Sequence, residues 1–142
     1  MNQQNFKNHS KWVIGYHFIT LLAILALLIG SIINLVKSSN ENKYSASLIV
    51  LIAVVLIFVF YFMRTFALKA QDRAIRAEEK LRYYILTNKP MNDKLTTRQV
   101  VGLRFASDEE FPELVDKAVN DNLSEKEIKL AIKDWKADTY RA

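Results

Sequence analysis

Two long apolar runs constrain this chain more than anything else in it. Residues 12–36 and 44–63 contain no Asp, Glu, Lys or Arg, and only the stretch 37–43, Lys-Ser-Ser-Asn-Glu-Asn-Lys, separates them. A hydrocarbon core of about 30 Å is crossed by roughly 20 helical residues, so either run is long enough to span it. In lipid the backbone must satisfy its own hydrogen bonds, which makes such runs helices. The sequence therefore predicts an all-α membrane protein. A cytoplasmic arm (1–11) precedes a two-helix transmembrane hairpin (12–63), with spans at 12–36 and 44–63 and an outside turn at 37–43. The second span continues as a long cytoplasmic helix over 64–87. A small helical cytoplasmic module of about three short helices follows at 88–142.

The first run exceeds the roughly 7–15 residues of a signal-peptide core, and no convincing small-x-small site follows it, so it reads as a span. Lys and Arg near span ends set topology. Lys7, Lys11, Arg64, Lys69, Arg73, Arg76, Lys80 and Arg82 lie on one side, against Lys37 and Lys43 on the other. Both termini are therefore expected in the cytoplasm. The outside turn is too short to hold a receptor or enzyme site.

The formal net charge of +5 is concentrated beside the spans, because residues 88–142 hold nearly equal numbers of acids and bases. That pattern suits topology and anionic headgroups better than nucleic acid, which is not expected as a partner. The chain has no cysteine, which excludes disulfides, thiol catalysis and Cys-ligated metals.

Within span one, Ala23, Ala26, Gly30 and Asn34 share a helical face, and in span two Ala46, Val50 and Ala53 do the same, with Ser45 and Ser47 nearby. Small faces let membrane helices approach closely, so both lines are expected to pack the hairpin; contact with a neighbouring protomer is the other use. His17 lies near the cytoplasmic end of span one beside Trp12 and Tyr16 and reads as an interfacial histidine in an aromatic belt. Proton or ion conduction is the sharper reading, but neither span holds a carboxylate.

Nothing breaks the helix after Met63, and it is expected to stop before Asn88-Lys89-Pro90. Phe66, Ala70, Ala74, Ala77, Leu81 and Tyr84 form a nearly heptad stripe along it, the candidate interface. Asp72 with Arg76 and Glu78 with Arg82 have the spacing of i,i+4 pairs. A stripe extended into water needs cover, either from the distal tail or from a second copy.

In the tail, Thr96 or Thr97 can cap a helix over 98–105. Ser107 to Glu110 resembles a capping box, with a helix beginning near Pro112, carrying Leu114, Val115, Ala118 and Val119 and ending at Asn122. Ser124 to Glu127 is a cleaner box, opening a last helix with Ile128, Ala131, Ile132 and Trp135 on its apolar face. Lys126, Lys129, Lys133 and Lys136 flank that face on one side, Glu127, Asp134 and Asp138 on the other. Leu103, Phe105, Phe111, Leu114, Ile128, Ile132 and Trp135 are the expected core.

No chemistry is written in these residues. The only glycines are Gly15, Gly30 and Gly102, so there is no phosphate loop. The only histidines are His9 and His17, and no His/Asp/Glu set has metal-ligand spacing. Asp108-Glu109-Glu110 reads as acid placed at a helix amino terminus by the macrodipole. No catalytic, cofactor-binding or metal residue is expected, and no cofactor.

The run from Phe66 to Arg82, together with Asn5-Phe-Lys-Asn-His9, Leu95-Thr-Thr-Arg-Gln99, Leu103-Arg-Phe-Ala106, Asp108 to Leu114 and Leu123 to Lys129, resembles an uncharacterised two-span membrane protein family of Bacteroidota, a domain of unknown function. The resemblance covers nearly the whole chain. It implies a bacterial cytoplasmic (inner) membrane and carries over no catalytic residue. The expected function is a non-enzymatic, self-associating integral membrane protein that presents a helical module as scaffold or adaptor. Its partners would be the lipid bilayer, further copies of itself and a membrane or cytoplasmic protein. The alternative is a small oligomeric channel or an accessory subunit of a membrane transporter.

Overall fold

The computed structural model describes residues 4–6, 8 and 12–138. Lys7, His9 and Lys11, which entered the reading of the arm and of topology, lie outside the described residues. Among those described, five α-helices and no strand occur: α1 (Leu21–Lys37), α2 (Lys43–Thr87), α3 (Thr97–Leu103), α4 (Phe111–Asn120) and α5 (Glu125–Ala131). A π-helical turn, Gly15–Thr20, leads into α1. The chain forms two compact units, Lys11–Ala67 and Leu68–Ala142 with Met1–Ser10. α2 contributes to both.

In the first unit, Gly15–Lys37 and Lys43–Thr87 are both long and apolar enough to cross a membrane. The buried residues are Ile24 and Ser31 on α1 and Ala46 and Ala53 on α2. Half-buried Leu28, Leu35, Val50 and Phe60 extend both lines at heptad spacing. Ser31 satisfies its hydroxyl by donating to Leu28 O at 2.8 Å. At the end of the pair, Tyr16 stacks on Phe60 with ring centroids 4.4 Å apart, and its hydroxyl donates to Phe60 O at 2.5 Å. Thr20 Oγ1 donates to Gly15 O at 2.9 Å across the π turn.

Span two packs through Ala46, Val50 and Ala53, as their spacing suggests. Span one does not use its small face: Ala23, Ala26, Gly30 and Asn34 are all exposed. One small surface is enough for close approach, and the alanines of α2 supply it. Larger Ile24 and Leu28 can then fill the contact from the α1 side.

The second unit is built on a set of local stops and starts. α2 ends at Thr87, and Asn88 takes φ of 55°, a left-handed turn that asparagine tolerates better than most residues. Thr96 caps α3 in a reciprocal box with Gln99, and Ser124 caps α5 in the same way with Glu127. α4 closes on Asn122, φ 48°, with Leu123 N donating back to Ala118 O at 3.2 Å.

The core gathers Leu103, Phe105, Phe111, Leu114, Ile128 and Ile132, with Trp135 packed against it, as the periodicity indicates. It also takes Tyr83 from α2 and Met91, Leu95, Val100, Ala106, Val115 and Ala118. Phe105 and Trp135 rings lie 5.1 Å apart.

Two expectations for the tail are corrected. Ser107 to Glu110 forms no side-chain cap; α4 starts at Phe111 with Pro112 in its first turn. The Glu110 carboxylate instead accepts from Lys133 N at 3.1 Å and Asp134 N at 3.2 Å. For the same reason α5 stops at Ala131. Beyond it the chain is extended, with Ser107 N donating to Asp134 O at 3.1 Å, Lys136 N to Phe105 O at 2.8 Å, and Ala106 bridged to Trp135. Lys133, Asp134, Lys136 and Asp138 therefore do not lie on a helix with Lys126, Glu127 and Lys129, and the two charged helical flanks are not formed.

α3 and α5 meet closely at Gly102. A methyl group there would lie 3.2 Å from Glu125 O and 3.3 Å from Ile128 Cγ2. Gly102→Ala should therefore destabilise the unit by about 1 kcal/mol net, although alanine favours the helix itself. Thermal unfolding of the full chain in detergent should show a fall of roughly 5 °C; a rise would refute the close approach.

Candidate functional site

The C-terminal half of α2 has two opposed faces, and the described part of the tail takes only one. Ile75, Glu79 and Tyr83 are buried, and Asp72, Arg76 and Arg82 half-buried, along one side. The candidate interface lies on the other. Ala70, Ala74 and Ala77 are exposed, as are Leu81 at 60% and Tyr84 at 53%; Phe66, in the other unit, is exposed as well. The tail thus folds back on α2 but not on the apolar stripe.

The covered face is held by charge. Arg82 Nη1 lies 3.0 Å from Glu79 Oε2, its Nε and Nη2 lie 2.7 and 2.6 Å from Asp108 Oδ1, and Nη2 donates to Ala106 O at 2.7 Å. The guanidinium also lies over the Phe111 ring, 4.2 Å from its centroid. Arg76 donates to Thr97 Oγ1 at 3.2 Å and to Leu95 O at 3.4 Å, and Lys80 pairs with Asp93 at 2.7 Å. The i,i+4 pairs suggested by spacing do not form. Arg82 turns to Glu79 and the tail, and Arg76 turns to the loop before α3. Neither Glu78 nor Arg73 has an ion-pair partner among the described residues.

Two carboxylates around one guanidinium are pushed in opposite directions. Burial raises the Glu79 pKa above the usual carboxylate range, an effect only partly offset by its hydrogen bond and attraction to Arg82. The Arg82 hydrogen bond lowers that of Asp108, which burial opposes less. For Glu79 the native state binds more protons than the unfolded state, so its contribution is full below its ordinary value and is lost as pH rises through the raised one. Glu79→Gln should therefore gain stability relative to wild type across that window, the gap closing again as pH falls. Denaturation of both proteins across the pH range measures it, and a gap independent of pH would contradict this role.

Beside this network an open groove of about 410 Å³ is lined by Gln71, Ala74, Glu78, Glu79, Arg104 and Asp138, among others. Arg104 Nε lies 3.1 Å from Asp138 Oδ2, and its guanidinium lies over Phe105 at 4.6 Å. Gln71 Oε1 is buried without a donor among the described residues. The groove runs along one edge of the exposed stripe, since Ala74 belongs to both.

Sequence reasoning found the stripe but missed the face that holds the tail. Ile75 and Tyr83 alone could have signalled it; Glu79 and Arg82 between them read as solvent-facing. His17 is half-buried, its Nδ1 3.1 Å from Val13 N and 3.0 Å from Val13 O, with the Trp12 ring 5.1 Å away. Among the described residues no group of three or more His, Asp or Glu is arranged to hold a metal ion.

No curated protein and no solved structure matches the chain. A match over residues 1–142, from the arm through both apolar helices to the end of the tail, places the chain in the family of unknown function DUF6526.

Proposed function

We propose that this chain is a non-enzymatic integral membrane protein of a bacterial cytoplasmic membrane. It self-associates and presents its helical module to cytoplasmic or membrane partners as a scaffold or adaptor. Membrane insertion is supported by the low burial of the two apolar stretches, 11% in each. A core helix of a soluble protein buries most of such a stretch, whereas here the exposed side chains meet lipid. Both termini lie in the cytoplasm. The charge asymmetry across the spans supports this, and so does one contact: Gln4 Oε1 accepts from Asp138 N at 2.7 Å, so the arm and the tail meet on one side.

The observation that carries self-association is the stripe left exposed after the tail has folded back. Light scattering of the full chain in detergent should give more than one copy, and Ala74→Glu should return it towards a monomer. A wild type that is monomeric both in detergent and to amine-reactive cross-linking in membranes refutes the reading. The described part of the tail occupies the other face, which favours a second copy as the cover.

A second reading is a small oligomeric channel or an accessory subunit of a transporter. It is favoured by the outward placement of Ala23, Ala26, Gly30 and Asn34, which can meet a neighbouring span. Ion flux in vesicles of purified protein distinguishes it from the first.

A further inference from the structure

We propose that the exposed face of α2 is the seam of a parallel, in-register pair, in which Arg73 of each copy pairs with Glu78 of the other. This deepens the self-association reading and rests on it. With Ala74 and Leu81 at position a of a heptad and Ala70, Ala77 and Tyr84 at d, the flanking positions are fixed. Gln71, Glu78 and Ile85 stand at e, Arg73 and Lys80 at g. Most of the residues that hold the tail fall at b, c and f: Ile75 and Arg82, Arg76 and Tyr83, Asp72 and Glu79; Lys80, at g, reaches away from the seam to Asp93. A two-stranded seam through a and d therefore leaves the described part of each tail, through Asp138 at the groove edge, outside the pair.

Direction follows from the membrane. Two copies entering the cytoplasm from one bilayer run their α2 helices the same way. In a parallel pair a g residue meets the e′ residue five positions on, which sets Arg73 against Glu78. Neither has an ion-pair partner among the described residues, since Arg82 and Arg76 are drawn away from the i,i+4 pairs; Lys69 and Asp72 also lack one, but they stand at c and f, away from the seam. The groove begins at this e edge, at Gln71, Ala74 and Glu78, and Glu78 is the exposed carboxylate there that an incoming guanidinium can meet, Glu79 being buried against Arg82. Leu81, Tyr84 and Ile85, each more than half exposed, close the apolar end of the seam. Alanine at a and d permits close approach but buries little, so the pair is expected to be weak in detergent and favoured where both copies share a membrane.

The chain contains no cysteine, so introduced cysteines report alone. Single variants at 70, 71, 73, 74, 77, 78 and 81 of the full chain are oxidised in native membranes. Ala70→Cys, Ala74→Cys, Ala77→Cys and Leu81→Cys should cross-link, and Gln71→Cys, Arg73→Cys and Glu78→Cys should do so at least about fivefold less. In the Ala77→Cys background, Arg73→Glu or Glu78→Arg should lower the yield about fivefold, and the double exchange should restore it, because two symmetric flank pairs act on each seam. Cross-linking without the a/d periodicity, or no recovery in the double exchange, overturns the seam while leaving self-association standing. A wild type that is monomeric both in detergent and to amine-reactive cross-linking in membranes overturns both.

Discussion

Arg82→Met should destabilise the unit formed by Leu68–Ala142 with Met1–Ser10 by about 3 kcal/mol, because it removes the only cation among the described residues within salt-bridge distance of the buried Glu79. The loss is compounded at Ala106, whose carbonyl gives up a charge-assisted donor, and at Phe111, whose ring loses the guanidinium above it. Domains of this size hold only about 5–15 kcal/mol in total, so the thermal midpoint should fall by more than about 10 °C. Adding Glu79→Gln to Arg82→Met should return part of the loss, since the uncompensated carboxylate is then gone. A cost below about 1 kcal/mol for the single change would mean that the network is a solvated surface pair.

Phe111→Ala is expected to cost about 4 kcal/mol, in the range for a fully buried aromatic ring. The ring sits in T-shaped contact with Tyr83 and beneath Arg82, so its removal opens the junction between α2 and α4. Hydrogen exchange should show lost amide protection throughout α3, α4 and α5 with little change in α1. Leu130→Ala, at a side chain 58% exposed on α5, should change stability by less than about 0.5 kcal/mol. Equal effects from the two would place the core elsewhere.

The parts of this fold that were legible in the sequence are those decided within a few residues. A threonine cap at 96 or 97, Ser124 with Glu127 and the stop before Asn88 are local hydrogen-bonding solutions; the structure settles the first on Thr96 with Gln99 and ends α3 at Leu103 rather than at 105. Core positions such as Leu103 and Ile128 followed from helical periodicity alone. What was not legible depends on partners distant in sequence. The last helix loses its final turn because Glu110, more than twenty residues away, captures the amides of Lys133 and Asp134. The tail chooses the charged face of α2 over the apolar one because Arg76 and Arg82 find acceptors on it at Leu95, Thr97, Ala106 and Asp108. An apolar stripe advertises itself by spacing, whereas a face built from mutually compensating charges looks like solvent-exposed surface until its partners are known. In the hairpin, periodicity identified a small face on each helix but not which of the two would be used.

The π turn at Gly15–Thr20 changes how the first apolar helix can vary. Its hydrogen bonds span five residues instead of four, so the turn holds one residue more than an α-helix of the same rise. That residue is absorbed before the line from Ile24 through Leu28 and Ser31 to Leu35 begins. The start of the helix can therefore gain or lose one position without rotating the surface that packs on Ala46 and Ala53. Chain length at this end is decoupled from the register of Ile24, Leu28, Ser31 and Leu35, and the contact that a one-residue change would move is that of Tyr16, inside the turn, with Phe60.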